Sequence, residues 1–240
     1  FPYTTLFRST SDQTLTTTVT DISSTVWSQI GSDIDGEAAI DDSGYSVSLS
    51  SDGSVVAIGA PGSDGNDGNR IDSGHVRIYQ NVNNTWTKIG EDIDGEAVDD
   101  QSGRSVSLSS DGSVVAIGSY FNDGNGSNSG HVRIYQNVND TWTKIGDNIN
   151  GEAVSDRSGY SVTLSDDGSI VAIGAIYNDG NGTNNNGHVR IYQNVNDTWT
   201  KIGDDIDGEA LYDASGWSVS LSSNGTVVAI GSKYNDGVNG

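Results

Sequence analysis

The chain reads as short stretches in which apolar and polar residues alternate, separated by runs of Gly, Asp, Asn and Ser. Residues 45–50 (YSVSLS) alternate with period two, which predicts a half-buried strand. Residues 55–60 (VVAIGA) are apolar almost throughout and predict a strand buried on both faces. In residues 74–79 (GHVRIY), Val76 and Ile78 share one face while His75, Arg77 and Tyr79 share the other. An Asn-rich turn at 81–84 leads into a fourth stretch at Trp86. Asp52-Gly53, between the first two stretches, predicts a tight hairpin, because Gly takes positive φ at no steric cost. No segment carries a helical period of 3.6.

The same four-stretch pattern returns along the chain, with its tryptophans at Trp27, Trp86, Trp142 and Trp199, separated by 59, 56 and 57 residues. A repeat of that length marks stacked units such as a solenoid or a propeller. Tight hairpins make neighbouring strands antiparallel, which disfavours a parallel solenoid. Four antiparallel strands per repeat predict an all-β propeller. Complete blades are expected at 45–90, 104–146 and 160–203, and a partial one at 217–240. Residues 11–30 are expected to hold partial blade strands, with 14–30 a candidate for completing the fourth blade. Each Trp should pack between blades, beside Ile30, Ile89, Ile145 or Ile202 of its own copy.

Charge narrows the partners. With 33 acidic and 11 basic side chains the net charge is -22, which argues against nucleic acid. No apolar run reaches 18 residues, so no membrane insertion is expected from this segment. Cys and Met are both absent. Residues 1–10 read like a translated sequencing adapter and are set outside the fold. The last copy stops inside a loop that in earlier copies leads to another strand. The chain is therefore expected to be a piece of a longer protein with further repeats or domains.

At Ser43-Gly44-Tyr45 and Gly59-Ala60-Pro61 the repeat resembles the FG-GAP repeat, the blade of the integrin α-subunit β-propeller. The resemblance covers about residues 24–240, with 31–240 as the repeat region proper. The first motif varies as Gly103-Arg104, Gly159-Tyr160 and Gly216-Trp217. The second varies as Gly118-Ser119-Tyr120, Gly174-Ala175-Ile176 and Gly231-Ser232-Lys233. The resemblance implies an extracellular or cell-surface binding or adhesion domain with a protein or glycan ligand. A structural scaffold, or a propeller appended to a catalytic domain elsewhere in a longer chain, are the other readings. Calcium-binding blades of the family carry Asp-x-Asp-x-Asp-Gly in the first hairpin. Here that hairpin is Ser51-Asp52-Gly53 and its repeats, too short to wrap calcium.

No HExxH or G-x-S-x-G motif occurs, and with no Cys the domain is expected not to be an enzyme. His75, His131 and His188 fall at one repeat position and read as strand residues. The strand order places 25 of the 33 carboxylates in loops on one face. That face is either simply solvated or a surface for cations and basic partners, with weak calcium binding as its expected consequence. Candidate calcium ligands are Asp92, Asp94 and Glu96 of the Asp-Ile-Asp-Gly-Glu loop, and Asp123, Asn125, Asp179 and Asn181 of the Asn-Asp-Gly-Asn-Gly loops. The first set reads better as a blade-junction turn, since a later copy carries Asn148 and Asn150 instead. The sequons at Asn83, Asn139 and Asn196 recur in the turn between the third and fourth strands and are glycosylation candidates.

Overall fold

The computed structural model describes residues 7–10, 26–65, 71–180 and 185–237. Strands make up the named elements among these residues. A two-stranded antiparallel sheet joins β1 (Phe7–Thr10) to β2 (Val26–Gln29). The first blade has β3 (Ser46–Leu49), β4 (Val55–Ala60), β5 (His75–Val82) and β6 (Thr85–Lys88), adjacent in that order and antiparallel. A two-residue strand, β7 (Ile93–Asp94), pairs with the start of β5.

The second blade repeats this plan with β8 (Ser105–Leu108), β9 (Val114–Ser119), β10 (His131–Val138), β11 (Thr141–Lys144) and β12 (Ile149–Asn150). The third has β13 (Ser158–Leu164), β14 (Ile170–Ala175), β15 (His188–Val195), β16 (Thr198–Lys201) and β17 (Ile206–Asp207). A two-stranded sheet of β18 (Ser215–Leu221) and β19 (Val228–Ser232) follows.

This is the propeller architecture expected from the repeat, with three complete four-stranded blades. The short β7, β12 and β17 come from the Asp-Ile-Asp-Gly-Glu segments and their Asn variant, so those loops add a fifth strand to each blade. Closure of the fourth blade by residues 14–30 is not found in the described part. Val26–Gln29 pairs with Phe7–Thr10, not with β18 or β19, and residues 11–25 lie outside the described residues.

The core lies between blades. In β4, Val55 and Ala57 face the second blade, while Val56 and Ile58 face the other way. That explains why this strand is apolar at successive positions. Val106 and Leu108 are buried under the first blade, and Val162 and Leu164 under the second. Their first-blade counterparts, Val47 and Leu49, are 51% and 50% exposed, with no preceding blade over them among the described residues. The first strands of successive blades pack on one another. Their serines knit the stack: Ser48 Oγ accepts from Leu108 N at 2.9 Å, and Ser107 Oγ from Leu164 N at 3.0 Å.

The two hairpin turns differ. Asn83-Asn84, Asn139-Asp140 and Asn196-Asp197 have φ near +50° to +62° at both positions, as a two-residue type I′ turn requires. The Asp-Gly hairpin is wider: Ser50 N donates to Val55 O at 2.8 Å across a four-residue loop, and only Gly53 takes positive φ.

Trp86, Trp142 and Trp199 each bridge to the preceding copy, so the partner of each is not the Ile of its own copy. The indole N–H of Trp86 donates to Ile30 O at 2.9 Å, that of Trp142 to Ile89 O at 3.0 Å, and that of Trp199 to Ile145 O at 3.0 Å. The register follows from β5, β10 and β15, which set each Trp opposite an Asn at the outer end of its blade. Trp27, with no described blade before it, is 66% exposed. Replacing Trp142 with Ala removes a half-buried ring and an inter-blade hydrogen bond. It should destabilise the fold by about 3 kcal/mol. Thermal melts compared with the exposed Trp27→Ala check this; equal midpoints for the two variants would contradict it.

Candidate functional site

The residues that follow the two repeat glycines converge. Tyr45, Arg104, Tyr160 and Trp217 stand at the start of the first strand in successive copies. Tyr120, Phe121, Tyr177, Lys233 and Tyr234 stand just past the end of the second strand. These two positions lie at the same end of each antiparallel pair, so stacking the blades lines them up in a ladder.

The Arg104 guanidinium sits 4.4 Å from the Tyr45 ring centre and 4.5 Å from that of Tyr160. Tyr160 in turn packs 4.8 Å from Trp217. Lys233 Nζ lies 3.8 Å above Trp217. On the flank, Arg157 reaches Phe121 at 4.8 Å and Tyr177 at 4.6 Å. Tyr120 stacks on Phe121 at 4.0 Å and donates its hydroxyl to Gln101 Oε1 at 2.7 Å. Partial burial pushes the Tyr120 and Tyr160 phenols up, so both stay neutral donors at physiological pH. Tyr45 and Tyr234 remain half exposed.

The remaining basic side chains of the described blades are engaged differently. Arg77, Arg133 and Arg190 are buried and pair with Glu37, Glu96 and Glu152 at the preceding blade junction. Lys88, Lys144 and Lys201 donate to Asp92, Asn148 and Asp205. Arg133 and Arg190 also lie 5.6 Å from the Tyr135 and Tyr192 ring centres, but at the ladder Arg104, Arg157 and Lys233 approach rings more closely, at 3.8 to 4.8 Å. A cationic, ring-rich strip therefore runs through a strongly acidic surface. Its residues were visible in the sequence only as departures from the FG-GAP motif, since their alignment needs the blade stacking.

The described calcium candidates each have partners of their own, and among them Asp92 also stands with Glu37 and His75 in a cluster of possible metal ligands. Asp92 accepts from Lys88 at 2.7 Å, the Asp94 carbonyl accepts from Arg133 at 2.7 Å, and Glu96 accepts from Asn148 at 2.9 Å. Asp123 and Asp179 accept the backbone N–H of Asn128 and Asn185, closing their own loops. Asn125 donates to the carbonyls of Gly151 and Glu152. Asn181 lies outside the described residues. The sequon residues Asn83, Asn139 and Asn196 sit on exposed hairpin tips, where positive φ favours Asn.

The acidic face is also less exposed than its count implies. Asp41, Asp100, Asp156 and Asp213 are buried. Asp156 Oδ2 accepts from Glu152 N at 3.1 Å, Ala153 N at 2.8 Å and Asn178 Nδ2 at 3.0 Å; Asp100 repeats the set with Glu96, Ala97 and Asn122. These four are structural staples for the loops.

Fold and site define an antiparallel-blade array of the propeller type with a cation–aromatic ladder on its inner strands. Compared with known proteins, no family model matches the chain and no curated protein matches it. Among solved structures it is similar to a provisionally assigned 6-phosphogluconolactonase from Bacteroides uniformis, with a TM-score of 0.51 and 15% identity. That match covers 77% of this chain and 46% of the other. Hydrazine synthase from Kuenenia stuttgartiensis gives a TM-score of 0.49 and 11% identity over 80% of this chain and 42% of that one. The chain thus spans less than half the length of either.

The first match supports the fold. It also overturns the expectation that the domain is not an enzyme. The same blade architecture is carried by a protein assigned to catalysis, so the fold and the absence of two sequence motifs are not grounds for excluding it.

Proposed function

We propose that this chain is a ligand-binding module of the FG-GAP type, acting outside the cell or at its surface, whose ladder holds an anionic ligand with flat faces. An acidic glycan has both properties. The observation that carries this reading is the close placement of Arg104, Arg157 and Lys233 on aromatic rings, while the buried arginines hold carboxylates and the strand lysines donate to Asp92, Asn148 and Asp205. Arginine and aromatic side chains are enriched at recognition surfaces, and guanidinium groups match carboxylates and sulfates in shape. The surrounding carboxylates would repel an anion that does not reach the ladder, so recognition would be short-ranged.

Binding of uronate and sulfated oligosaccharides, followed by calorimetry, tests this. Arg104→Ala should weaken binding about tenfold, equivalent to about 1.4 kcal/mol, with the fold intact by circular dichroism. If no acidic oligosaccharide binds, or if Arg104→Ala binds as the parent does, the proposal fails.

A further inference from the structure

We propose that Glu37, His75 and Asp92, and their repeats Glu152, His188 and Asp205, form two sites for a first-row divalent transition ion such as zinc, each tying a blade to the acidic loop that precedes it. In both trios the candidate ligand atoms lie within 4.8 Å of one another. The Glu comes from the acidic loop before the blade, the His opens the third strand, and the Asp follows the fourth strand. Three distant stretches of sequence therefore meet at each junction.

The histidines point to a ligand independently of the acids. His75 and His188 are each 1% exposed, and neither ring nitrogen of either finds a hydrogen-bond partner. A buried polar atom left unpaired is costly, and a bound ion would satisfy it. The neighbouring cations do not consume the carboxylates. Lys201 takes Oδ1 of Asp205 at 2.6 Å, while Oδ2 faces His188 Nδ1 at 4.0 Å. Arg190 holds Oε1 of Glu152 at 3.1 Å, and Arg77 holds Oε1 of Glu37 at 3.3 Å. Lys88 holds Oδ1 of Asp92. Asp207 Oδ1 stands a further 4.0 Å from His188 Nδ1. Glu37 and Glu152 have side chains 48% and 44% exposed, so they can swing inward to bond length. One imidazole and two carboxylates suit zinc with a water in the fourth position; calcium wants six to eight oxygens.

The second blade is a built-in contrast. There Asn148 replaces the Asp and places its amide 2.9 Å from Glu96 Oε2 and 3.4 Å from His131 Nδ1. A donor thus stands where the ion would, and Nδ1 of His131 has a partner that His75 and His188 lack. Nε2 is unpartnered in all three copies, so the distinction lies at Nδ1.

The test is zinc titration of the chelator-treated chain by calorimetry, with cobalt absorption as a second readout. Two ions per chain are expected. Asp92→Asn or Asp205→Asn, each copying the arrangement already present at Asn148, should leave one, and the double variant none. Asn148→Asp should raise the number to three. Zinc should also raise the melting temperature more than calcium at the same concentration. Failure to take up zinc, uptake unchanged by both Asn variants, or equal competition by calcium would overturn the proposal and leave an acidic surface only.

Discussion

Gly118→Val is expected to destabilise the fold by about 3 kcal/mol or more, the upper end of the cost of overpacking a close-packed interior. A Cβ at Gly118 would stand 2.1 Å from the carbonyl oxygen of Gly159 in the next blade and 2.4 Å from Ser105 Oγ. The first of these is backbone and cannot rotate away. Gly159 is itself held with φ +86, a conformation L side chains rarely adopt, so the two glycines form one interlocking contact. Ser105 Oγ donates to that same carbonyl at 2.8 Å, and Ser46 and Ser161 do so at the other two junctions. A valine would have to part the blades along a core of apolar side chains. Urea melts of Gly118→Val and of the surface control Gly203→Val check this; Gly203 has nothing within 4 Å. Gly203 holds φ +72 and Gly118 does not, so the control reports backbone strain without a blade contact; a Gly118→Val loss under about 1 kcal/mol would contradict the contact.

Acidification from pH 6.5 to 5 is expected to cost about 2 kcal/mol through His131 alone. Burial pushes this imidazole down to about 3, with the Arg133 and Lys144 cations adding to the effect. The unfolded chain takes up the proton near 6.5, well before the folded chain does. The stability tied to the neutral ring is therefore complete above pH 6.5 and is lost progressively as pH falls toward 3. His75 and His188 are lowered by burial as well, His188 to about 4, and act in the same direction. Asp100, raised by burial, works oppositely, but in the lower carboxylate range. Urea midpoints measured across this window for the parent and for His131→Gln should diverge above pH 5 and converge toward it. A parent midpoint that stays flat between pH 6.5 and 5 would contradict the assignment.

Much of the architecture was legible without coordinates. The alternation at 45–50, the two-sided apolar run at 55–60 and the repeat of Trp every 56 to 59 residues predict antiparallel blades, and β3, β4 and their copies lie where expected. Period and alternation are local properties: each strand's faces are decided by its own side chains. Gly59 and Gly103 were visible as recurring glycines, and their contact across the junction gives that recurrence a physical reason. The third strand's Val76 and Ile78 are likewise buried on the face they share.

What the sequence left undecided depends on how one blade meets the next. Trp142 binds the carbonyl of Ile89, not its own copy's Ile145, because the stack sets the offset between blades. Four of the acids on the charged face are buried, and three of them, Asp100, Asp156 and Asp213, are held by Asn122, Asn178 and Asn235 from 22 residues away. The ladder and the Glu–His–Asp clusters each draw residues from different repeats. No window along the chain brings Glu37, His75 and Asp92 together; the turn of the strands at the blade junction does.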